Sequence, residues 1–191
     1  MNEFPWHTDC SYESAPPRFF ALQVLQPDRC GGGTLSVLNV ERLLGLLSPF
    51  ARECLFSPSY RIAVLPEFVK NPDEKEIVGN LLTTVTMDAT DRNPTGKGEK
   101  AATLLRFRED IITPMTAPAA EALAKLKRVL VGPAARERIL DLTAESLPRG
   151  SIVLLDNGRW IHARNEVRDP KRHLRRVRWD KRPFVGASST A

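Results

Sequence analysis

Two histidines, one aspartate and a run of arginines carry the chemistry open to this chain. Trp6-His7-Thr8-Asp9 stands near the start, His162 stands alone far downstream, and Arg172-His173-Leu174-Arg175-Arg176 follows it. In extended chain, side chains at i and i+2 leave the same face about 6–7 Å apart, so His7 and Asp9 could close on one metal ion while Thr8 points away. A third ligand has to come from elsewhere. Of the three histidines, His173 sits among positive charges that disfavour another cation, which leaves His162. Two imidazoles and one carboxylate leave coordination positions open, an arrangement suited to ferrous iron that takes a co-substrate and oxygen together. Read by itself, an H-x-D tripeptide is also a common surface coincidence.

The arginines add a second requirement. Period-two alternation places Arg172, Leu174 and Arg176 on one face of a strand, with the two guanidiniums about 13 Å apart along it, too far to grip one carboxylate. A guanidinium offers paired donors that match a carboxylate and keeps its charge when partly desolvated, so an inward arginine calls for an anionic guest. The competing reading is a charged edge strand that blocks pairing with other sheets. Thr34 follows Gly31-Gly32-Gly33; as a β-branched residue it also suits a plain strand. The glycine run reads as a turn and lacks the spacing of a nucleotide-binding loop.

Taken in order, several segments resemble one family. Pro5-Trp6-His7-Thr8-Asp9, Ala15-Pro16-Pro17 and Gly31-Gly32-Gly33-Thr34-Leu35 are similar to the opening of the taurine dioxygenase and clavaminate synthase-like group of Fe(II)- and 2-oxoglutarate-dependent dioxygenases. Leu105-Arg106-Phe107-Arg108-Glu109-Asp110-Ile111 matches its middle. Pro148-Arg149-Gly150, residues 151–155, Asp156-Asn157, Ile161-His162-Ala163-Arg164 and Arg172-x-Leu174-x-Arg176 resemble its closing signature. The resemblance implies His7, Asp9 and His162 as iron ligands. It implies Thr34 and Arg172 as holders of the far carboxylate of 2-oxoglutarate, and Arg176 as a second arginine that reaches substrate or co-substrate. Asp156, Asn157 and Arg164 would then orient His162 and the strand end, although Asp156-Asn157-Gly158 also suits a turn. The implied activity is oxidation, usually hydroxylation, of a small-molecule substrate by O2, with release of succinate and carbon dioxide. The alternative is a truncated, catalytically idle jelly-roll domain that binds a small anion or a partner chain.

Bulk properties bound the rest. At 191 residues the length suits one domain with a sizeable core, and we expect it over residues 1–185 with a flexible tail at 186–191. Residues 168–182 hold eight basic side chains against two acidic ones, a surplus of six in a chain of net charge +5. Such a run can mean nucleic acid, but Trp179 is the one aromatic residue within it and no nucleic-acid module is recognisable, which argues against that partner. No apolar run is long enough for a membrane span and no secretory leader is visible. Cys10, Cys30 and Cys54 lack paired metal spacing and read as reduced thiols in a cytoplasmic setting.

The elements that must position these residues read as a mainly β fold with helical cover (α+β), the double-stranded β-helix, or jelly roll, of the family. Strands are predicted over residues 19–25, 33–38, 60–65, 82–87, 138–143, 151–155 and 172–179. A helix over residues 40–47 starts after Asn39 and stops near Ser48-Pro49. A longer one over residues 115–131 is capped by Thr116 and carries an apolar stripe of Ala119, Leu123, Leu126 and Leu130. Residues 71–76 read as a polar turn, and residues 89–100 as a loop that either covers the site or is simply mobile. Family members carry a substantial segment before the first histidine, and six residues precede His7 here. A homodimer that covers strands otherwise left unpaired is one expectation.

Overall fold

In the computed structural model, which describes residues 2–69, 75–86 and 101–184, two antiparallel sheets face each other across a cavity. Sheet A has the order β1 (Phe4–His7), β11 (Trp160–Arg164), β3 (Leu35–Asn39), β9 (Leu140–Leu142). Sheet B has β10 (Ile152–Asp156), β2 (Pro17–Gln26), β12 (His173–Lys181). Neighbours in both sheets are far apart in sequence, as in a jelly roll. Two smaller sheets complete the strands, β5 (Glu76–Gly79), β4 (Tyr60–Ala63), β8 (Ile112–Pro114) and the pair β6 (Leu82–Thr86), β7 (Ala101–Leu105). The expected lid at residues 89–100, the tail at 186–191 and residues 71–74 of the polar turn lie outside the described residues.

Period-two alternation in β11 explains how sheet A serves two cores. Ile161 is fully buried on one face, opposite Leu38 of β3, in a cluster with Leu43, Leu55, Leu81 and Leu126. Its neighbours Trp160 and His162 leave the other face, where Phe20, Leu35, Val37 and Leu155 form a smaller cluster between the sheets. The larger cluster is covered by α1 (Val40–Leu44), α2 (Pro49–Phe56), α3 (Ala117–Leu130) and α4 (Pro133–Arg136).

Helix starts follow local chemistry. Asn39 accepts from the Arg42 N–H and caps α1, and Thr116 accepts from the Ala119 N–H and caps α3, as expected. α1 ends at Leu44, short of the expected residue 47, and Ser48-Pro49 opens a further helix that the sequence reading lacks: Ser48 accepts from the Ala51 N–H and starts α2, with Pro49 in the first turn, where its missing N–H costs nothing. α3 carries the expected stripe into the core. Leu126 is fully buried there, so Leu126→Ala should destabilise the fold by about 2–5 kcal/mol, read as a lower urea midpoint.

Sheet B is less covered. Its inner face turns Phe20, Leu22, Val24, Val153 and Leu174 to the cavity. On its outer face Ile152, Leu154, Val177 and Trp179 are exposed.

Candidate metal centre

β1 and β11 pair so that His7 and His162 stand directly opposite each other. That register places both imidazoles on the inner face with ring centroids 4.2 Å apart. Both are buried, and Phe20 from the facing sheet packs on His162 at 4.8 Å. Asp9 arrives by a different route from the one expected. β1 ends at His7, and Asp9 lies in a turn rather than two residues along the same strand. Thr8 leaves the sheet because its N–H donates to the Phe107 carbonyl at 2.7 Å and its hydroxyl accepts from the Phe107 N–H. Asn157 then fixes Asp9: its Oδ1 accepts from the Asp9 N–H at 2.7 Å, and its Nδ2 donates to the carbonyls of Asp9 and Pro17, both at 2.9 Å.

One oxygen of Asp9 lies 3.7 Å from His7 Nε2 and 3.8 Å from His162 Nε2. Ligand atoms of the three residues all fall within 4.8 Å of one another, and this is the one such group among the described residues. His7 Nδ1 lies 2.8 Å from the Pro5 carbonyl. Donation there fixes the tautomer that leaves the Nε2 lone pair for a metal, the usual role of the outer partner of a ligating imidazole. Two imidazole nitrogens and a carboxylate, buried and convergent, fit a ferrous ion. His162 differs: its Nδ1 is buried with no hydrogen-bond partner among the described residues, and its ring packs against His7 and Phe20. Asp156, Asn157 and Arg164 do not orient it as expected. Asn157 holds Asp9, Asp156 lies 3.6 Å from Arg18, and Arg164 donates to the Asn2 and Asn165 carbonyls. Asn157→Ala should weaken metal binding roughly 10- to 100-fold, the usual cost of losing a group that orients a ligand, as read by Mn(II) titration.

Electrostatics favour the ligating forms of His7 and Asp9. Burial, opposed by Asp9 and the Pro5 carbonyl, lowers His7 to about 4. Burial is also the largest influence on Asp9 and pushes it up, but the approach of His162 and His7 and the charge of Arg176 hold its carboxyl well below the usual range. For His7 the sign is fixed by proton uptake. Between the unfolded value of 6.5 and about 4 the unfolded chain binds a proton that the folded chain refuses. Its stability contribution is therefore full above 6.5 and lost as pH falls toward 4. The metal-free protein should show a urea midpoint that drops across this window, and His7→Gln should flatten the drop.

The imidazoles open onto a cavity of about 470 Å³ between the sheets. Arg172, Leu174 and Arg176 line it; alternation along β12 accounts for Leu174 and Arg176, whereas Arg172 precedes the strand, which begins at His173 and not at the expected residue 172. Thr34 is not among the lining residues, whereas Gly32, Gly33 and Leu35 are; its backbone pairs with Asn165 through the Thr34 N–H and carbonyl. Arg176 donates to both oxygens of Asp9, at 3.1 and 3.2 Å. Asp28, Thr143 and Arg164 also line the cavity, Asp28 and Thr143 with no signal in the sequence. Arg164 was legible in hindsight, because it sits two residues beyond His162 on the same strand face. The basic run is largely spent within the fold: Arg178 donates to Cys10 Sγ, Lys181 pairs with Glu13 and Arg182 with Asp180. Arg175 and His173 are exposed, as expected.

Comparison with known proteins agrees with this geometry. The family model described as "Taurine catabolism dioxygenase TauD, TfdA family" matches residues 1–178. The L-asparagine oxygenase of Streptomyces coelicolor (strain ATCC BAA-471 / A3(2) / M145) is 27% identical over 180 residues, covering 94% of this chain and 46% of its own. A solved asparagine oxygenase in complex with Fe(II), 2S,3S-3-hydroxyasparagine and succinate has a TM-score of 0.69 at 24% identity, covering 93% of this chain and 50% of that one. The non-heme iron oxygenase OrfP in complex with Fe and alpha-ketoglutaric acid has a TM-score of 0.65 at 20% identity, with 93% and 49% covered. The jelly-roll expectation holds in this fold likeness. The chain spans about half the length of these relatives, and no helix among the described residues is long and apolar enough to cross a membrane.

Proposed function

The chain belongs to the taurine catabolism dioxygenase TauD/TfdA family, and on that premise we propose that it is an Fe(II)- and 2-oxoglutarate-dependent oxygenase of a small-molecule substrate. The observation that carries the reading is the convergence of His7, Asp9 and His162 beside a cavity that the two imidazoles and Arg172 line. Bound iron would supply the oxygen chemistry that couples loss of carbon dioxide from 2-oxoglutarate to oxidation of a substrate carbon, leaving succinate. The chain's own residues then have distinct tasks. His7, Asp9 and His162 hold the ion on one side and leave its other positions to ligands. Asn157 keeps the Asp9 carboxylate in place, and Phe20, Leu22, Val24, Leu35 and Val153 give the cavity an apolar wall that limits water. Arg172 receives the far carboxylate of 2-oxoglutarate, a charge-assisted pairing made stronger by partial burial. No acid or base residue is required for such chemistry.

The relatives narrow the substrate class. Their solved complexes hold hydroxylated asparagine and (3S)-hydroxy-L-Arg, so a free amino acid or a close analogue is the substrate we propose. Anaerobic addition of Fe(II) and 2-oxoglutarate should give a weak visible charge-transfer band, and with oxygen and substrate present succinate should accumulate. Absence of both would overturn the reading.

One observation favours the second reading, an idle domain. Arg176 gives Asp9 a cation partner already, so a chain that no longer takes up metal would keep Asp9 satisfied. The same band decides between the two. The homodimer is carried forward as a proposal with its own measurement: sedimentation should give twice the chain mass of 21.4 kDa, and a monomer at micromolar concentration would rule it out.

A further inference from the structure

Arg172 belongs to no strand. It ends the irregular segment 165–172, between β11 and β12, and a second irregular segment, residues 27–34 between β2 and β3, lies alongside. The buried carboxylate of Asp28 fastens one to the other. Its Oδ1 accepts from the N–H groups of Cys30 at 2.9 Å and Gly32 at 3.2 Å, within its own segment. Its Oδ2 accepts from those of Arg168 at 2.8 Å and Asp169 at 3.1 Å, across the gap. Burial would raise Asp28, but these four donors together lower it to about 2, so the carboxylate stays charged at working pH.

Everything around this clasp bears on Arg172. The Gly33 N–H donates to the Glu166 carbonyl at 2.8 Å, and the Gly33 carbonyl accepts from Arg172 Nη2 at 3.3 Å. A Cβ on Gly33, whose φ is +67°, would stand 2.6 Å from Arg172 Nε, and one on Gly32 would stand 2.5 Å from the Glu166 carbonyl oxygen. Gly32 and Gly33 are therefore where the two backbones and the guanidinium meet too closely for a side chain. Asp169, whose N–H is one of the four donors, accepts in turn from the Arg172 N–H through its carbonyl. Asp28 and Arg172 both line the cavity.

We propose that Asp28 is a positioning residue for the anion end of the cavity: by locking segment 165–172 against segment 27–34 it sets Arg172, and so confers the preference for an oxo acid with a second carboxylate. This rests on the reading of Arg172 as the holder of that carboxylate. The test compares 2-oxoglutarate with 2-oxopentanoate, which has the same chain length and no far carboxylate, by calorimetry on the Mn(II)-loaded protein without oxygen. Asp28→Ala should weaken 2-oxoglutarate at least roughly tenfold while leaving Mn(II) and 2-oxopentanoate affinities unchanged. It should add nothing in an Arg172→Ala background, since residues acting through one another are not additive. Equal weakening of both oxo acids, or full additivity with Arg172→Ala, would overturn the proposal. Should Asp28→Ala lose its cooperative melting transition, Asp28→Asn, which keeps one acceptor oxygen and the volume, is judged by the same criteria. If Arg172→Ala weakens 2-oxoglutarate and the Asp28 variant does not, this inference alone fails. If Arg172→Ala leaves 2-oxoglutarate unaffected, the reading of Arg172 fails first.

Discussion

His162→Ala is expected to lower metal affinity more than roughly 100-fold and to remove the anaerobic Fe(II)/2-oxoglutarate band. Loss of a group that merely orients a ligand costs 10- to 100-fold, so loss of the ligand itself should exceed that range. No other donor is placed to take over: the metal-binding group among the described residues contains only His7, Asp9 and His162. The ring also packs against His7 and Phe20, so alanine leaves a gap, and His162→Gln separates loss of the nitrogen from loss of volume. Both variants should fail to bind Mn(II) while melting cooperatively. His173→Ala is the control, because His173 is exposed at the start of β12, and it should bind metal as the parent does. Normal metal binding by His162→Ala would place the ion elsewhere and end the functional reading.

His7, Asp9 and His162 stand out in the sequence because their residue types are scarce and two of them sit in one tripeptide, and the structure brings the three together. Their geometry was not legible there. That His162 stands opposite His7 follows from pairing between strands more than 150 residues apart, and no local periodicity encodes such a register. Asp9 was assigned to an extended strand because i and i+2 alternation is the simplest local rule. What moved it into a turn is Asn157, whose side chain reaches it from 148 positions away. The same limit hid Asp28. A lone aspartate before a glycine run looks like turn chemistry, and only the fold brings the Arg168 and Asp169 N–H groups to its second oxygen. The first helix stops before Ser48-Pro49 as expected, but at Leu44, where the Gly45 N–H turns back onto the Glu41 and Leu43 carbonyls; that Ser48-Pro49 also opens a second helix is local capping chemistry the reading passed over. Fold class, the α3 stripe and the inward face of Leu174 and Arg176 were legible because alternation and amphipathic spacing are enforced by burial itself, whereas Arg172 reaches the cavity from the irregular segment before β12.

Arg172→Ala should weaken 2-oxoglutarate by at least roughly 30-fold while sparing the metal, since truncating one partner of a desolvated charge pair costs about 2–5 kcal/mol. Arg172 is half-buried, and burial lowers its pKa, with Arg164 acting in the same direction and Asp28 opposing. Arg164, Arg172 and Arg176 line the cavity with Asp28 as the one carboxylate among its described lining residues, which leaves it short of negative charge that an incoming dicarboxylate supplies. Arg176 cannot substitute. It opposes Leu22 further along β12 and its donors are on Asp9. Arg172→Lys should recover only part of the loss, because an ammonium keeps the charge but gives up the fork that matches a carboxylate. It also gives up the flat guanidinium that lies against the Gly33 backbone. The ordering arginine, then lysine, then alanine should appear in 2-oxoglutarate affinity and in the KM for 2-oxoglutarate, with Mn(II) affinity flat across the series. A series in which Mn(II) affinity falls in parallel would mean that Arg172 holds the sheets together rather than the co-substrate.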